Sequence, residues 1–503
     1  MKLDKKKSFL FLVLIFFVGV FFRCYSLYNS SEFTYDPARD AEIIRQIVQE
    51  KKLTLLGPPT SVSVPGVAYG TTYFGPVFYY LLAPFLPLFG YDPYGPILVI
   101  ALLGAVGIIL IFAIVEKITK DPLSALVASF AFAISEGAIF YSRWIWNPNL
   151  MPFFILLLIY FLVNFQENKK SVFLFLSGVC LGVIIQLHFI GYWLFLLPVW
   201  IICLSCFNER SRKSFLVRFL LLVTGILLAI SPMILFEIRH DFLNTRSIIY
   251  NLTLDNHPNG DNISFSFKNL GLVATVLLDK FFSLKALWLA LPVLVVLFFY
   301  SIRVLKNEKY SLFGFYFLVG VLGSSIFNHR GTLDARYVIP LFPVLFILIG
   351  LMFYEARKLK RGLNFFLVII FLVIIIGCSL NHSIQNLGSS PRHSISFFRD
   401  ISQIIIDDRL SSGDRESFNL AVLVSGLGRR GVSFRYFFNL QNNQILDEVS
   451  YPSADTLYVI DDEYGWSGIK NNTDTWEIYS FKPKKLEKVI LTSYGVKIYK
   501  ITK

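Results

Sequence analysis

The chain has 503 residues, 55% of them hydrophobic and 51 of them Phe, and a mean hydropathy of +0.60. That composition excludes an ordinary soluble enzyme, because mostly apolar runs of roughly 16 to 24 residues recur along the first three-quarters, near the length that crosses ~30 Å of hydrocarbon as a helix. The formal charge of +13 does not argue for nucleic acid, since the basic residues lie mostly in short loops between apolar runs, as the positive-inside rule expects.

Lys2, Lys5, Lys6 and Lys7 precede the first apolar run, about 8–27, and place the N-terminus in the cytoplasm. That run is long and no small-x-small site follows it, so it reads as a span rather than a cleaved signal. The loop 28–92 is then outside. It opens with Asp36-Pro-Ala-Arg-Asp-Ala-Glu-Ile-Ile-Arg-Gln-Ile-Val-Gln49, where Asp36 fits an N-cap and Pro37 the first helical position. Ala41, Ile44, Ile47 and Val48 share one face, with Arg39, Glu42, Gln46 and Gln49 largely on the other, which predicts an amphipathic helix lying on a membrane surface. Arg39 is out of place there: a cation in the first turn opposes the helix dipole, and a capping box wants Glu or Gln. An anionic substrate is one reason to keep it. Later in the loop, 77–89 is short and broken by Pro84 and Pro87, and reads as an interfacial or re-entrant helix.

Ten further spans follow at about 96–115, 123–141, 150–165, 172–187, 191–206, 215–236, 286–302, 312–327, 337–353 and 365–380, with a surface helix at 270–278. Each inner loop carries at least two Lys or Arg. The expected fold is thus a mainly α, polytopic membrane protein of about 11 transmembrane helices over 1–380, followed by a small extracytoplasmic α/β domain over 381–503. In that domain 394–408 reads as a helix, and 418–424, 456–460, 476–481, 488–492 and 496–501 as strands. Gly426-x-Gly428-x-x-Gly431 follows the first of these. It reads as a turn and not a dinucleotide site, because no βαβ run is evident around it and the domain faces away from cytoplasmic nucleotides. Cys203-x-x-Cys206 stands without a partner pair and reads as helix packing.

The polar residues that stand out are outer-facing in this topology: Asp36, Arg39, Asp40, Arg143, His188, Glu237, Arg239, His240, Arg330 and Arg336. Singly each has a plain explanation, since an arginine can snorkel and a histidine or aspartate can cap. Together they suggest an active site at the membrane surface. Guanidinium forks match phosphate oxygens, a carboxylate beside them can act as general base toward a hydroxyl, and the neighbouring Tyr and Trp suit the interface and sugar stacking. The rival class is a transporter or flippase for a lipid-linked sugar or another anionic substrate. Against it, no internal repeat is found and the charges avoid mid-span.

The chain resembles GT-C glycosyltransferases of the protein mannosyltransferase and lipid A aminoarabinose transferase superfamily, which place an acidic residue directly after the first span: Asp36-Pro-Ala-Arg39-Asp-Ala-Glu42-Ile43 resembles the Asp-Glu-x-Arg-Tyr-Ala-Glu-Ile motif of the aminoarabinose branch at Asp, Arg, Ala, Glu and Ile. Ala335-Arg-Tyr-Val-Ile-Pro340 resembles that family's late Arg-Tyr-x-x-Pro element, and Tyr141-Ser-Arg-Trp-Ile-Trp-Asn-Pro-Asn149 an outer turn of its bacterial members. The resemblance implies a hexosyl- or pentosyltransferase using a polyprenyl-phosphate sugar, with inversion. Asp36 would be the catalytic base and Arg39 would help hold the donor phosphate; Arg143, Arg330 and Arg336 are further phosphate candidates, and Asp40 is either a second carboxylate of the site or a solvated helix residue. Tyr73, His188, Glu237, His240 and Tyr337 are substrate-binding candidates. The partners are the polyprenyl-phosphate sugar, a lipid, glycan or protein acceptor, and membrane lipids, with no nucleic acid. No cofactor is expected and no metal cluster is visible. The expected location is the plasma membrane, multi-pass. One departure matters: the aminoarabinose branch places a lysine before its proline in the second half of the first loop, whereas Tyr73-Phe-Gly75-Pro76 has none, so the arginines must neutralise the phosphate and the sugar stays open.

Overall fold

Each of the eleven apolar runs contains a helix in the computed structural model, which describes residues 4–63, 71–209, 212–253, 261–263, 267–284, 287–329, 335–358, 363–388, 392–413, 416–443 and 445–503. Among the described residues five helices are long and apolar enough to cross a membrane: Lys5–Cys24, Tyr94–Thr119, Asn147–Asn168, Phe189–Phe207 and Val368–Gln385. A sixth is made if Lys213–Ala229 and Ser231–Arg239, which meet at a 66° bend, form one span. Proline in the first turn of Ser231–Arg239 accounts for that bend, because it removes a helical donor and crowds the preceding turn. The other apolar helices are shorter.

Local competition explains some of the shortening. The run expected at 123–141 divides into Pro122–Ala133 and Glu136–Phe140, because the Ser135 side chain caps the second piece by accepting from Ala138 N and its hydroxyl also donates to Phe281 O at 2.8 Å. Glu136 then accepts from Ser283 Oγ at 2.7 Å and Asn386 Nδ2 at 2.8 Å, and lies 3.3 Å from His382. A carboxylate so placed is tolerated because its oxygens are satisfied.

The chain forms two compact units. The first holds Met1–Tyr25, Lys52–Leu82 and Leu98–Leu387; the second holds Ser26–Lys51, Ala83–Ile97 and Gly388–Lys503. In the first unit Arg23 is fully buried, and its guanidinium donates to Gly19 O at 3.1 Å, Ala133 O at 3.0 Å and Phe132 O at 3.3 Å. The last carbonyls of a helix are where a cation is most welcome. Phe342–Lys358 is buried on nearly every side, as a helix inside a bundle must be. Strand β1 (Pro59–Ser63) pairs antiparallel with β2 (Thr71–Tyr73), and β3 (Asp261–Ile263) with β4 (Phe327–His329).

The second unit carries a four-stranded sheet of β5 (Phe418–Leu423), β6 (Thr456–Asp461), β7 (Lys485–Leu491) and β8 (Lys497–Thr502), ordered β5-β6-β8-β7. β5 and β6 are parallel; the other pairings are antiparallel. The helix Val432–Leu440 joins the parallel pair, and Ile395–Ser412 precedes it. Ala421, Leu423, Leu457, Val459, Ile478, Tyr499 and Ile501 belong to its core. The stretch expected as a strand at 476–481 is instead the short helix Trp476–Tyr479, whose Ile478 is buried in that core.

The same unit takes in the start of the first loop. Phe33 N donates to His393 O at 2.8 Å and Ile395 N to Ser31 O at 3.2 Å, so residues 31–33 run beside 393–395 as a short bridge. Phe33 is fully buried, its ring 5.4 Å from Tyr436, 5.6 Å from Phe437 and 6.4 Å from Phe398. A buried Phe is worth roughly 1.5–3 kcal/mol in apolar transfer, enough to anchor the chain directly before the Asp36 helix.

Candidate active site

The helix begins earlier than its sequence suggests. It runs Tyr35–Glu50, with Thr34 in extended backbone at the N-cap. Asp36 is therefore the second helical residue and not the cap. Pro37 remains in the first turn, where a missing N–H costs nothing. The apolar face is also not laid on a membrane surface: Ala38, Ala41 and Ile44 are fully buried within the unit, where the helix packs against Val432–Leu440 and Phe85–Leu88. Ile47 and Val48 are half-buried.

Relieved of capping, the Asp36 carboxylate is held by Arg39. Arg39 Nη1 donates to Asp36 Oδ1 at 2.8 Å, while Nε and Nη2 reach Asp40 Oδ1 at 2.9 and 2.8 Å. The Asp40 side chain is 0% exposed and that of Asp36 is 51% exposed. One arginine thus bridges a buried carboxylate and an open one. Among the described residues Asp36 Oδ2 takes no hydrogen bond, so it keeps its lone pairs for a ligand. This explains a cation in the first turn: its charge is spent on two aspartates rather than on the helix dipole.

Asp36 lines a cavity of about 670 Å³ in the second unit, within the ~300–1,000 Å³ range of small-ligand sites. Glu32, Thr34, Tyr35, His393, Phe398, Glu448, Glu477 and the whole turn Gly426–Phe434 complete the lining. Arg430 lies 3.7 Å from Glu448 and 3.6 Å from Glu477. Arg429 donates to Val422 O at 3.3 Å, and Thr34 Oγ1 to Glu32 Oε1 at 3.2 Å.

The glycine turn thus has a place in the site that its sequence reading denied it. A parallel βαβ unit does surround it: β5 leads into the turn, the turn into Val432–Leu440, and that helix toward β6. Gly426 (φ +79°) and Gly431 (φ +63°) occupy left-handed backbone, which glycine adopts without steric cost. The dinucleotide reading still fails on chemistry. Asp461, the acid ending β6 and the natural partner for a ribose, spends its oxygens on the backbone N–H groups of Glu463, Tyr464 and Gly465 at 3.2, 2.9 and 2.9 Å, and is absent from the cavity lining.

Elsewhere in the unit, buried acids make ion pairs. Asp408 is buried and accepts from Lys488 Nζ at 2.5 Å and Tyr458 OH at 2.9 Å, with Lys500 4.0 Å away. Burial works to raise its carboxyl pKa, but the hydrogen bonds from Lys488 and Tyr458 and the two lysine charges outweigh it and hold the group below its ordinary value. Asp92 goes the other way. Burial raises it despite a hydrogen bond from Tyr94 N, the Arg399 charge and a hydrogen bond from Tyr28.

The remaining sequence candidates belong to the first unit, and the described ones are engaged with neighbouring groups. Glu237 accepts from Asn244 N at 3.1 Å and Thr245 N at 3.0 Å, capping the helix Leu243–Thr253. Asn244 Oδ1 accepts from Tyr73 N at 2.8 Å, and its Nδ2 donates to Tyr73 O at 3.1 Å. Arg143 donates to Tyr25 O at 2.8 Å and to Phe22 O at 2.5 Å. His188 accepts from Ile190 N at 3.1 Å, with its ring 4.8 Å from Phe74. His240 stacks on Phe236 at 4.2 Å. The Arg336 guanidinium lies 5.8 Å from the Tyr337 ring centre. Arg330 lies outside the described residues. Gly75 N–H donates to Gln186 O at 3.1 Å and a Cβ there would come within 2.3 Å of Gln186, so close approach requires glycine. Among the described residues no group of three or more His, Cys, Asp or Glu is placed to hold a metal ion.

Residues 13–243 match the family model of dolichyl-phosphate-mannose-protein mannosyltransferases. No curated protein matches the sequence at a significant level. Among solved structures, ArnT from Cupriavidus metallidurans bound to undecaprenyl phosphate superposes with a TM-score of 0.61 at 14% identity, over 99% of this chain and 98% of that one. Its apo state gives 0.61 at 12% identity, over 98% and 97%. Archaeal oligosaccharyltransferase AglB from Archaeoglobus fulgidus, in complex with an inhibitory peptide and a dolichol-phosphate, gives 0.54 at 11% identity, over 98% of this chain and 74% of that one. At these identities the likeness is one of fold.

Proposed function

We propose, for a chain that belongs to the GT-C membrane glycosyltransferases of the protein mannosyltransferase and aminoarabinose transferase superfamily, that it moves a sugar from polyprenyl phosphate to an acceptor hydroxyl on the outer face of the membrane, with inversion. The observation that carries this reading is the Asp36 carboxylate: one oxygen fixed by Arg39, the other open, on the wall of a cavity large enough for a substrate. A carboxylate fixed in this way acts as general base toward a hydroxyl. The acceptor oxygen gives its proton to Asp36 Oδ2 and attacks the anomeric carbon. The bond from that carbon to the phosphate oxygen breaks, and its electron pair leaves with the polyprenyl phosphate.

Phosphate is a fair leaving group, so orientation and stabilisation of its charge are what the protein supplies. Arg39, Arg143, Arg330 and Arg336 are the candidates for that charge. Two of them are partly engaged: the Arg143 guanidinium is tied to two backbone carbonyls, and the Arg39 charge is shared with Asp36 and Asp40. Asp40, buried beneath Arg39, serves as the anchor that holds the arginine, not as a second base. The undecaprenyl phosphate and dolichol-phosphate carried by structures of the same fold support a lipid-phosphate donor. The basic inner loops support eleven crossings, with the N-terminus in the cytoplasm and the C-terminal domain outside.

The test is turnover of a panel of labelled polyprenyl-phosphate sugars by the purified full chain in lipid nanodiscs. Wild type is expected to release polyprenyl phosphate from at least one donor, and Asp36→Asn to bind that donor without consuming it. Normal turnover by Asp36→Asn returns the aspartate to a structural role. A wild type that consumes no donor, yet moves lipid-linked sugar across the bilayer, replaces the transferase with a flippase.

A further inference from the structure

The cavity on which Asp36 opens has a chemical character of its own. Four carboxylates, Glu32, Asp36, Glu448 and Glu477, and two arginines, Arg429 and Arg430, face it, with Arg39 adding a third guanidinium directly behind Asp36. The charges nearly balance, so neither a strongly anionic nor a strongly cationic ligand is favoured. The ion pairs across the cavity are loose as well. Arg430 stands 3.7 Å from Glu448 and 3.6 Å from Glu477, beyond hydrogen-bond length, so these groups do not satisfy one another. Small donor-acceptor groups can bridge them. Carboxylates only accept and guanidinium groups only donate; a hydroxyl does both. Tyr35, 55% exposed, offers an aromatic face on the same wall.

From this geometry, and resting on the reading of Asp36 as the base, we infer that the cavity is an acceptor subsite for a neutral, hydroxyl-rich glycan, gripped by Arg430, Glu448 and Glu477 and presenting one hydroxyl to Asp36 Oδ2. The acceptor class is thus a saccharide rather than a peptide side chain or a phosphorylated glycolipid. A sugar supplies adjacent hydroxyls at the spacing needed to bridge each carboxylate–arginine pair, and its C–H face suits Tyr35. An acceptor bearing phosphate or carboxylate would add an anion to a cavity whose four carboxylates already outnumber its three guanidinium groups.

Gly428 gives a clean way to close the cavity. It lies in the lining, a Cβ there meets no atom within 4 Å, and its φ lies outside the left-handed range. Gly428→Trp therefore fits the backbone and takes up cavity space. The experiment is saturation-transfer NMR on the full chain in detergent, without donor, using a neutral trisaccharide, its uronic-acid counterpart, an amino-sugar counterpart and a Ser/Thr-containing peptide. The neutral trisaccharide is expected to bind. Binding is expected to be at least tenfold weaker for the uronic acid and for Gly428→Trp or Glu448→Gln, each checked for wild-type unfolding temperature. Preference for the charged sugars or the peptide, or equal binding by folded Gly428→Trp, overturns the inference. Because no donor is present, the outcome is independent of the turnover assay: donor consumption without saccharide binding removes the acceptor assignment alone, and saccharide binding without donor consumption removes the transferase.

Discussion

Glu237 in the first unit and Asp36 in the second both lie near the ends of helices, and both are acids that the sequence marks as site candidates. Glu237 gives its two oxygens to the backbone N–H groups of Asn244 and Thr245. Asp36 gives one oxygen to Arg39 and keeps the other toward a cavity. Arg143 and Arg39 divide in the same way: the first is tied to two carbonyls, the second to two carboxylates, one buried and one open. Residue type and rough position are alike within each pair. Function is distinguished by which lone pairs and N–H groups the fold leaves unspent, because backbone groups at helix ends must be satisfied first.

The largest effect that would break this comparison is on activity. Asp36→Asn is expected to lower the transfer rate by about 10²–10⁴-fold, the range of a lost general base, with an unchanged unfolding temperature; a loss below tenfold in single-turnover transfer would put Asp36 on a level with Glu237. Asp40→Ala comes next and acts on stability. It removes the buried partner of Arg39 and is expected to cost about 3–5 kcal/mol, read as faster hydrogen exchange through Tyr35–Glu50, with activity falling only as that helix opens.

Asp408→Asn is expected to cost about 1.5–3 kcal/mol at neutral pH, the value of hydrogen bonds to a charged group. Its sign with pH is fixed. The folded carboxyl is held below its ordinary value, so its contribution is present above the unfolded value of about 3.9 and is lost as pH falls through the folded one. Exchange protection of β6 in wild type and Asp408→Asn should therefore begin to converge as pH falls below about 4 and meet only below the folded value. The smallest effect is that of Glu237→Gln. It should destabilise by about 0.5–2 kcal/mol, as loss of a helix cap does, and leave donor turnover within a few-fold. A hundredfold loss of turnover in a folded Glu237→Gln would overturn its reading as a cap.

Apolar run length located a helix in each of the eleven expected spans among the described residues, and the edges of β5, β6 and β8 came within one residue of those seen. Periodicity failed where two states share one pattern. Trp476–Tyr479 alternates as a strand would, yet forms a helical turn that places Ile478 in the core. The cap at Asp36 was misread because Asp-Pro fits a helix start at either of two registers, and Thr34 takes the cap once Phe33 is anchored. The parallel βαβ unit around Gly426–Gly431 was invisible because β5 and β6 are joined across 32 intervening residues (424–455), and parallel pairing leaves no short turn signal. Glu32, His393, Arg430, Glu448 and Glu477 gave no sign of belonging together.

The sequence by itself determined that the chain is rich in long apolar helices and singled out the Asp-Pro helix as a candidate site. Long apolar runs separated by short basic loops can do little but form membrane helices, and an arginine in the first turn of an Asp-Pro helix demanded an explanation. Only the tertiary structure decided what Arg39 holds, which of two neighbouring aspartates is open, and that the start of the first loop folds into the C-terminal unit beside a glycine turn nearly 400 residues later. Burial and lone-pair occupancy are set by contacts far apart in the chain, and no local pattern of side chains records them.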